Sequence, residues 1–377
     1  MNNKTILHLY ERLESLIAKL PEALQKPISK EMATLKNLFL RQRSPRIVIA
    51  GEAGSCKAHV LNALFNAEVL GANEASISGW HEYHSGRGAI RVLDARQPVA
   101  ENAVRNALAD EAPDIFLFVR STPGVDDALA GEIANFNALL EFENARGSQR
   151  EAVIGVLIRN DAAADVEQAR EQLHACLHTK AAVSERLAAT LGVTAMRFRL
   201  DGSLDTASIE RGSAEHLAQV ISEELPEEAR LEMARLCGVR EVQLKIAQTL
   251  IKAVTAMCAT IGVQPIPFAD YPILTALQIM MISGIMHISG REMSVKLAGE
   301  FVAALGANAG VGLVLREGSR ALAKLVPVWG NLVSGAIAGG GTYALGRAAS
   351  AYFIEGVNIK DARSLFRRKE KRETLDH

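Results

Sequence analysis

Residues 46–65, RIVIAGEAGSCKAHVLNALF, constrain this chain more than any other stretch. From Ile47 to Gly51 the residues are apolar or small and uncharged, which suits a short strand buried on both faces. A glycine-containing loop follows. Then Val60, Leu61, Leu64 and Phe65 recur at helical spacing. A strand that turns through glycines into a helix sets the helix N-terminus, with its unpaired backbone N–H groups, at the carboxyl end of the strand. That local geometry attracts phosphate anions.

The downstream pattern extends this unit into a layered α/β domain. Further strands are expected at 89–95 (AIRVLDA), 114–121 (DIFLFVRS) and 152–161 (AVIGVLIRND), with a weaker one at 195–200 (AMRFRL). Helical stretches are expected at 57–66, 100–111, 127–144, 165–190 and 213–223. Strands alternating with helices predict a mostly parallel sheet wrapped by helices over residues 45–225, with ligands at the carboxyl ends of its strands. Residues 1–44 read as a helical lead-in, two helices split by Pro21 and Pro27. Beyond Pro226 lies an all-α, glycine-rich domain at 226–357, closed by a basic tail at 358–377 that carries Arg363, Arg367, Arg368, Lys369, Lys371 and Arg372.

The loop Gly51-Glu52-Ala53-Gly54-Ser55-Cys56-Lys57-Ala58 stands where a phosphate loop belongs, but it departs from the pattern Gly, four residues, Gly, Lys, Ser/Thr. Gly51 and Lys57 fit. Cys56 replaces the second glycine, and its side chain is expected to strain the N–H nest or crowd the phosphates. Ala58 replaces the hydroxyl that would bind Mg²⁺. Lys57 still offers a charge to β- and γ-phosphates. Binding without Mg²⁺ is therefore chemically feasible, and efficient hydrolysis is not expected.

The run VIAGEAGSCKAHVLNALFNAEVL, with NALF after the lysine, resembles the opening of Era/TrmE-like bacterial GTPases. The resemblance covers residues 46–225 and implies a P-loop GTPase-like G domain that takes GTP or GDP. Carried onto this chain, the Mg²⁺-side motif falls on Asp94-Ala95-Arg96-Gln97, where Asp94 is kept as a candidate Mg²⁺ ligand and Gln97 replaces the γ-phosphate-sensing glycine. The guanine-reading motif falls on Ile158-Arg159-Asn160-Asp161; Asp161 is kept, and Arg159 stands in for the lysine stem. Ser76 and Ser78 lie in the interval of the switch threonine. The implied nucleotide site is thus residues 51–58 with Asp94, Arg159 and Asp161. Each of these admits a plainer role: Lys57 as a first-turn helix residue, Asp94 and Asp161 as strand-end caps.

The C-terminal half carries a second resemblance. PIPFADYPILTALQIMMISGIMHISGREMS and LVPVWGNLVSGAIAGGGTYALGRAASAYF are similar to the YcjF-type domain of unknown function that follows G domains in some bacterial GTPases. Residues 271–290 and 325–346 contain no Asp, Glu, Lys or Arg and are long enough to cross a bilayer, which needs about 20 residues. Buried helices of a soluble bundle would read the same way. Residues 284–346 hold thirteen glycines, and Gly306-x-x-x-Gly310 and Gly335-x-x-x-Gly339 predict close helix contacts. A membrane surface is one expected partner, through 271–346 and the basic tail, and an unidentified protein is another. His287 is expected to be a core histidine.

Bulk properties narrow the function classes. A formal net charge of −1 argues against a chain built to hold nucleic acid. The four cysteines, at 56, 176, 237 and 258, have no metal-knuckle spacing and suit a cytoplasmic, reducing setting, with peripheral or integral attachment at an inner membrane as the membrane reading requires. His81, Glu82 and His84 lack a further spaced metal ligand, and neither HExxH nor GxSxG occurs. The expected function is that of a GTPase-family protein with eroded motifs that regulates or scaffolds, with weak or no hydrolysis. An active GTPase at a membrane and a membrane-anchored interaction module are the alternatives.

Overall fold

The computed structural model describes residues 7, 10, 11, 13–15, 17, 18, 20–54, 56–67, 69, 70, 79–96, 101–121, 125–147, 151–159, 166–194, 211–263, 270–306 and 335–373. They form two compact units: Arg43–Val239, and Met1–Gln42 together with Arg240–His377.

The first unit is built on a six-stranded sheet. Its strands are β1 Arg46–Gly51, β2 Trp80–Ser85, β3 Gly88–Asp94, β4 Ile115–Arg120, β5 Ala152–Arg159 and β6 Leu187–Thr194. Their order across the sheet is β2-β3-β1-β4-β5-β6. All neighbours are parallel except the β2–β3 hairpin. The mostly parallel α/β sheet expected from the strand–helix alternation is therefore present. β1 and β4 lie side by side in its middle, and their apolar runs are buried on both faces, with Ile47, Val48, Ile49 and residues 115–119 all at 0% exposure. On one face Phe116 and Phe118 pack on Phe136 of the helix Asp127–Ala145, with ring centroids 6.1 and 5.5 Å apart. Each such ring contributes roughly 2–3 kcal/mol of burial. The helix Cys56–Phe65 packs against β4 and β5.

Three local expectations fail, each for a physical reason. β2, WHEYHS, was not anticipated: it is an edge strand in which only Tyr83 is buried, so it carries no apolar run. Its existence comes from pairing with β3, from Trp80↔Leu93 to Ser85↔Gly88. The stretch 165–190 is not one helix but Val166–Leu177, a single turn Ala181–Ser184, and then the start of β6. Leu187, Ala188 and Ala189 favour helix, but Thr190, Val193 and Thr194 suit a strand, and pairing with β5 settles it. The strand expected at 195–200 lies outside the described residues. Finally, Pro27 sits inside the helix Glu22–Leu40 rather than breaking it. The buried stripe Leu24, Ile28, Met32, Leu35 and Phe39 offsets its cost, about 3 kcal/mol.

The second unit is helical. Besides Glu22–Leu40 it contains Arg240–Val263, Asp270–Ile288, Val295–Gly306, Gly335–Ser350 with the π-helical turn Ala351–Glu355, and Ile359–Glu373. In Asp270–Ile288, Leu277, Met281, Ile282, Ser283, Ile285 and Ile288 are all at 0% exposure. These positions go round the helix, so its apolar surface is covered by protein. Glycines let the neighbours come close. A Cβ on Gly339 would stand 3.1 Å from Ala259 Cβ, one on Gly346 would stand 2.7 Å from Ile251, and one on Gly284 would meet Phe39 and Leu250. Gly310 and the first part of 325–346 lie outside the described residues. Among the described residues, Arg240–Gly262 is long and apolar enough to cross a membrane, with 50% of its apolar window buried inside the protein. His287 is 3% exposed, its ring 6.4 Å from that of Phe39, as expected of a core histidine.

Candidate nucleotide-phosphate site

The site forms where β1 ends. Gly51 has φ +102°, and a Cβ there would stand 2.3 Å from the carbonyl oxygen of Val119 on β4. No other residue fits this conformation and this approach. Glu52 N–H donates to the same carbonyl at 2.8 Å. Its carboxylate then accepts from the Ser121 backbone N–H at 2.6 Å and from Ser121 Oγ at 3.0 Å. The start of the loop is thus fastened to the exit of the neighbouring strand. Ala53 and Gly54 are exposed, and Gly54 has φ +91° with open space around it. Ser55 lies outside the described residues.

Cys56, Lys57 and Ala58 open the helix and are all buried, at 1%, 3% and 4% exposure. The Cys56 side chain is buried at the foot of the loop, near Ser121, Glu52 and Arg96. Burial pushes its thiol pKa up, partly opposed by a hydrogen bond with Ser121.

Lys57 and Asp94 come together. Lys57 Nζ is 3.4 Å from Asp94 Oδ2 and 3.4 Å from the Tyr83 hydroxyl. Asp94 ends β3, the other neighbour of β1 in the sheet. Arg96 completes the cluster. Its Nε donates to Asp94 Oδ1 and its Nη2 to Asp94 Oδ2, both at 2.8 Å. Its Nη1 donates to the Gly54 carbonyl at 2.7 Å and reaches the Glu52 carbonyl at 3.5 Å. The Arg96 side chain is 5% exposed and that of Asp94 4%. Burial by itself raises the Asp94 carboxyl pKa, but the hydrogen bond and charge of Arg96, joined by the charge of Lys57, outweigh it and hold the carboxyl below its usual value of 3.8. Two cations, Lys57 and Arg96, thus face the one carboxylate of Asp94, with the carboxylates of Glu52 and Glu132 nearby.

A second charged group lies at the exit of β4. Arg120, with a 3% exposed side chain, bonds Asp126 at 2.8 Å and Glu132 at 2.9 Å. Burial pushes the Glu132 carboxyl up against the opposing charge of Arg120. Between the two groups is a cavity of about 100 Å³ lined by Ala50, Gly51, Ala95, Arg96, Glu132 and Phe136, among others. It is smaller than ordinary ligand sites, which start near ~300 Å³.

These residues do not fit Mg²⁺. The ion requires oxygen ligands in a near-ideal octahedron at about 2.0–2.1 Å. Ala58 brings no oxygen, and both oxygens of Asp94 are engaged by Arg96, one of them also facing Lys57.

Of the site residues read from the sequence, the structure brings Gly51, Glu52, Gly54, Cys56, Lys57 and Asp94 to one crevice at the strand ends. Arg159 ends β5, two strands from β1. Gln97, Asn160, Asp161, Ser76 and Ser78 lie outside the described residues. Sequence reasoning gave no role to Arg96, Tyr83 or Ser121. Arg96 did carry a signal: residues two apart in extended chain share a side, so an arginine two after a strand-end aspartate can reach back to it. Among the described residues no group of three metal-binding side chains exists.

No family model matches the chain, and no curated protein does. Among solved structures, the chain is similar to Era in its crystal structure with MgGDPNP and nucleotides 1506–1542 of 16S ribosomal RNA. The identity is 14%, the match covers 61% of this chain and 70% of that chain, and the TM-score is 0.33. Likeness at that level is one of outline and assigns no ligand.

Proposed function

We propose that this protein is a GTPase-family regulator or scaffold whose α/β unit binds guanine nucleotide weakly and hydrolyses it slowly or not at all. The observation that carries the reading is the meeting of Lys57 with Asp94, 3.4 Å apart, beside a glycine-bounded loop and a helix N-terminus. A lysine, a strand-end carboxylate and a loop opening a helix are the parts from which phosphate sites at strand ends are built. Ala58 lacks the hydroxyl that would help position a metal, and hydrolysis without such positioning loses most of its electrostatic support.

Calorimetry of the full chain with GTP and GDP tests this. Dissociation constants on the order of 0.1 mM are expected, about −5.5 kcal/mol. Micromolar, Mg²⁺-dependent binding overturns the weak-binding part. Steady GTP turnover that disappears in Lys57→Ala overturns the slow-hydrolysis part and favours a working GTPase.

The helical unit supplies the contact with a partner, a membrane surface or a protein, rather than with nucleic acid. The span Arg240–Gly262 motivates the membrane reading. Flotation with anionic liposomes decides it: co-flotation supports attachment at an inner-leaflet surface, and full recovery in the soluble fraction removes the membrane-anchored alternative.

A further inference from the structure

We propose that Arg96 is the built-in counter-cation of the phosphate loop, holding Asp94 in place of a divalent metal so that nucleoside phosphates bind here without Mg²⁺. The inference rests on the reading of the loop as a nucleoside-phosphate site and adds the chemistry by which its charge is balanced.

Three observations carry it. First, the guanidinium takes both oxygens of Asp94 at 2.8 Å in a two-pronged, charge-assisted pair. A metal at that carboxylate would have to displace the pair. Second, the same guanidinium is bonded to the loop itself through the Gly54 carbonyl at 2.7 Å, so it belongs to the loop and is not a stray surface group. Third, the cluster is buried, and two cations, Lys57 and Arg96, face the single carboxylate of Asp94. Buried positive charge of this kind is what a phosphate chain requires from its surroundings. The four bonds from Arg96 to Asp94, Gly54 and Glu52 leave one of its five N–H donors for a phosphate oxygen.

The alternative is that Arg96 is a plug that keeps the loop closed to every anion. The two ideas predict opposite effects when the guanidinium is removed. The full chain, Arg96→Gln, Arg96→Lys and the double variant Asp94→Asn/Arg96→Gln are titrated with GDP, in millimolar Mg²⁺ and again in EDTA. Thermal unfolding is followed for each with and without Mg²⁺ or Mn²⁺. The double variant removes both charges and so avoids a stranded buried carboxylate. For the wild type, affinity should agree within about twofold in Mg²⁺ and EDTA, and Tm should move by less than about 1 °C with either metal. Arg96→Gln should lose about tenfold in affinity in EDTA, and Arg96→Lys should recover part of it. With Asp94 released, Arg96→Gln should also gain a Tm rise with Mn²⁺ that the double variant lacks.

Wild-type affinity tenfold or more stronger in Mg²⁺ overturns the proposal, and so does tighter GDP binding by Arg96→Gln, which is the behaviour of a plug. If no variant binds GDP at all, the nucleotide reading fails by itself. The metal arm then still decides the role of Arg96: a Mn²⁺ response gained on its removal upholds the counter-cation, and no response overturns it.

Discussion

The glycines of the sheet unit and those of the helical unit solve different problems. At the end of β1, Gly51 and Gly54 adopt φ +102° and +91°, so what matters is backbone conformation. In the helical bundle, Gly284, Gly339 and Gly346 lie inside regular helices, and what matters is the missing side chain. The same residue type therefore marks a positive-φ turn in one unit and a packing seam in the other. Glycine richness alone cannot distinguish them. A loop glycine between a buried strand and a helix points to a site, while glycines at helical spacing point to a contact.

The sharpest way to break this distinction is Gly51→Ala. The new Cβ would meet the Val119 carbonyl at 2.3 Å in a backbone region that alanine avoids. A loss of about 4 kcal/mol in urea unfolding is expected. Next comes Arg96→Ala, which leaves the buried Asp94 with Lys57 alone and should cost about 3 kcal/mol. A cycle with Asp94→Asn should return about 2 kcal/mol of coupling, and additive effects would mean that the two side chains do not act as a pair. Gly346→Ala, where the obstacle is the flexible side chain of Ile251, should cost only about 1–2 kcal/mol. If it proves as damaging as Gly51→Ala, the contrast between the two kinds of glycine fails.

The smallest effect concerns acid. Because the native Asp94 carboxyl is held below its usual value, its pairing contributes stability that is complete above about pH 4. That contribution disappears as the pH falls through the lowered native value. Asp94→Asn should therefore lower the stability–pH curve at neutral pH by that contribution and flatten its acid limb, so that the two curves converge as the pH falls through the lowered native value.

Much of the sheet was legible because its central strands are buried on both faces. RIVIAG and IFLFVR are runs that no surface element would carry. The edges were not legible. WHEYHS is polar and owes its strand form to one antiparallel neighbour, while residues 187–190 read as the end of a helix until β5 is beside them. At the site, Gly51, Lys57 and Asp94 were recognisable from spacing. Arg96 escaped because it sits at a spacer position of the motif, where its chemistry appears only once β3 and the loop are brought within 2.7 Å. Ser121 escaped because nothing local links it to Glu52, 69 residues earlier.

The four thiols of this chain have unequal fates. Cys56, Cys237 and Cys258 are sealed, and burial raises the thiol of Cys258 to about 12 and that of Cys237 further still. Cys176, on the helix Val166–Leu177, is half-buried and alone within reach of solvent. A maleimide dye applied to the folded protein should thus mark a single position, giving a ready-made reporter on the rim of the sheet unit with no cysteine needing to be engineered away.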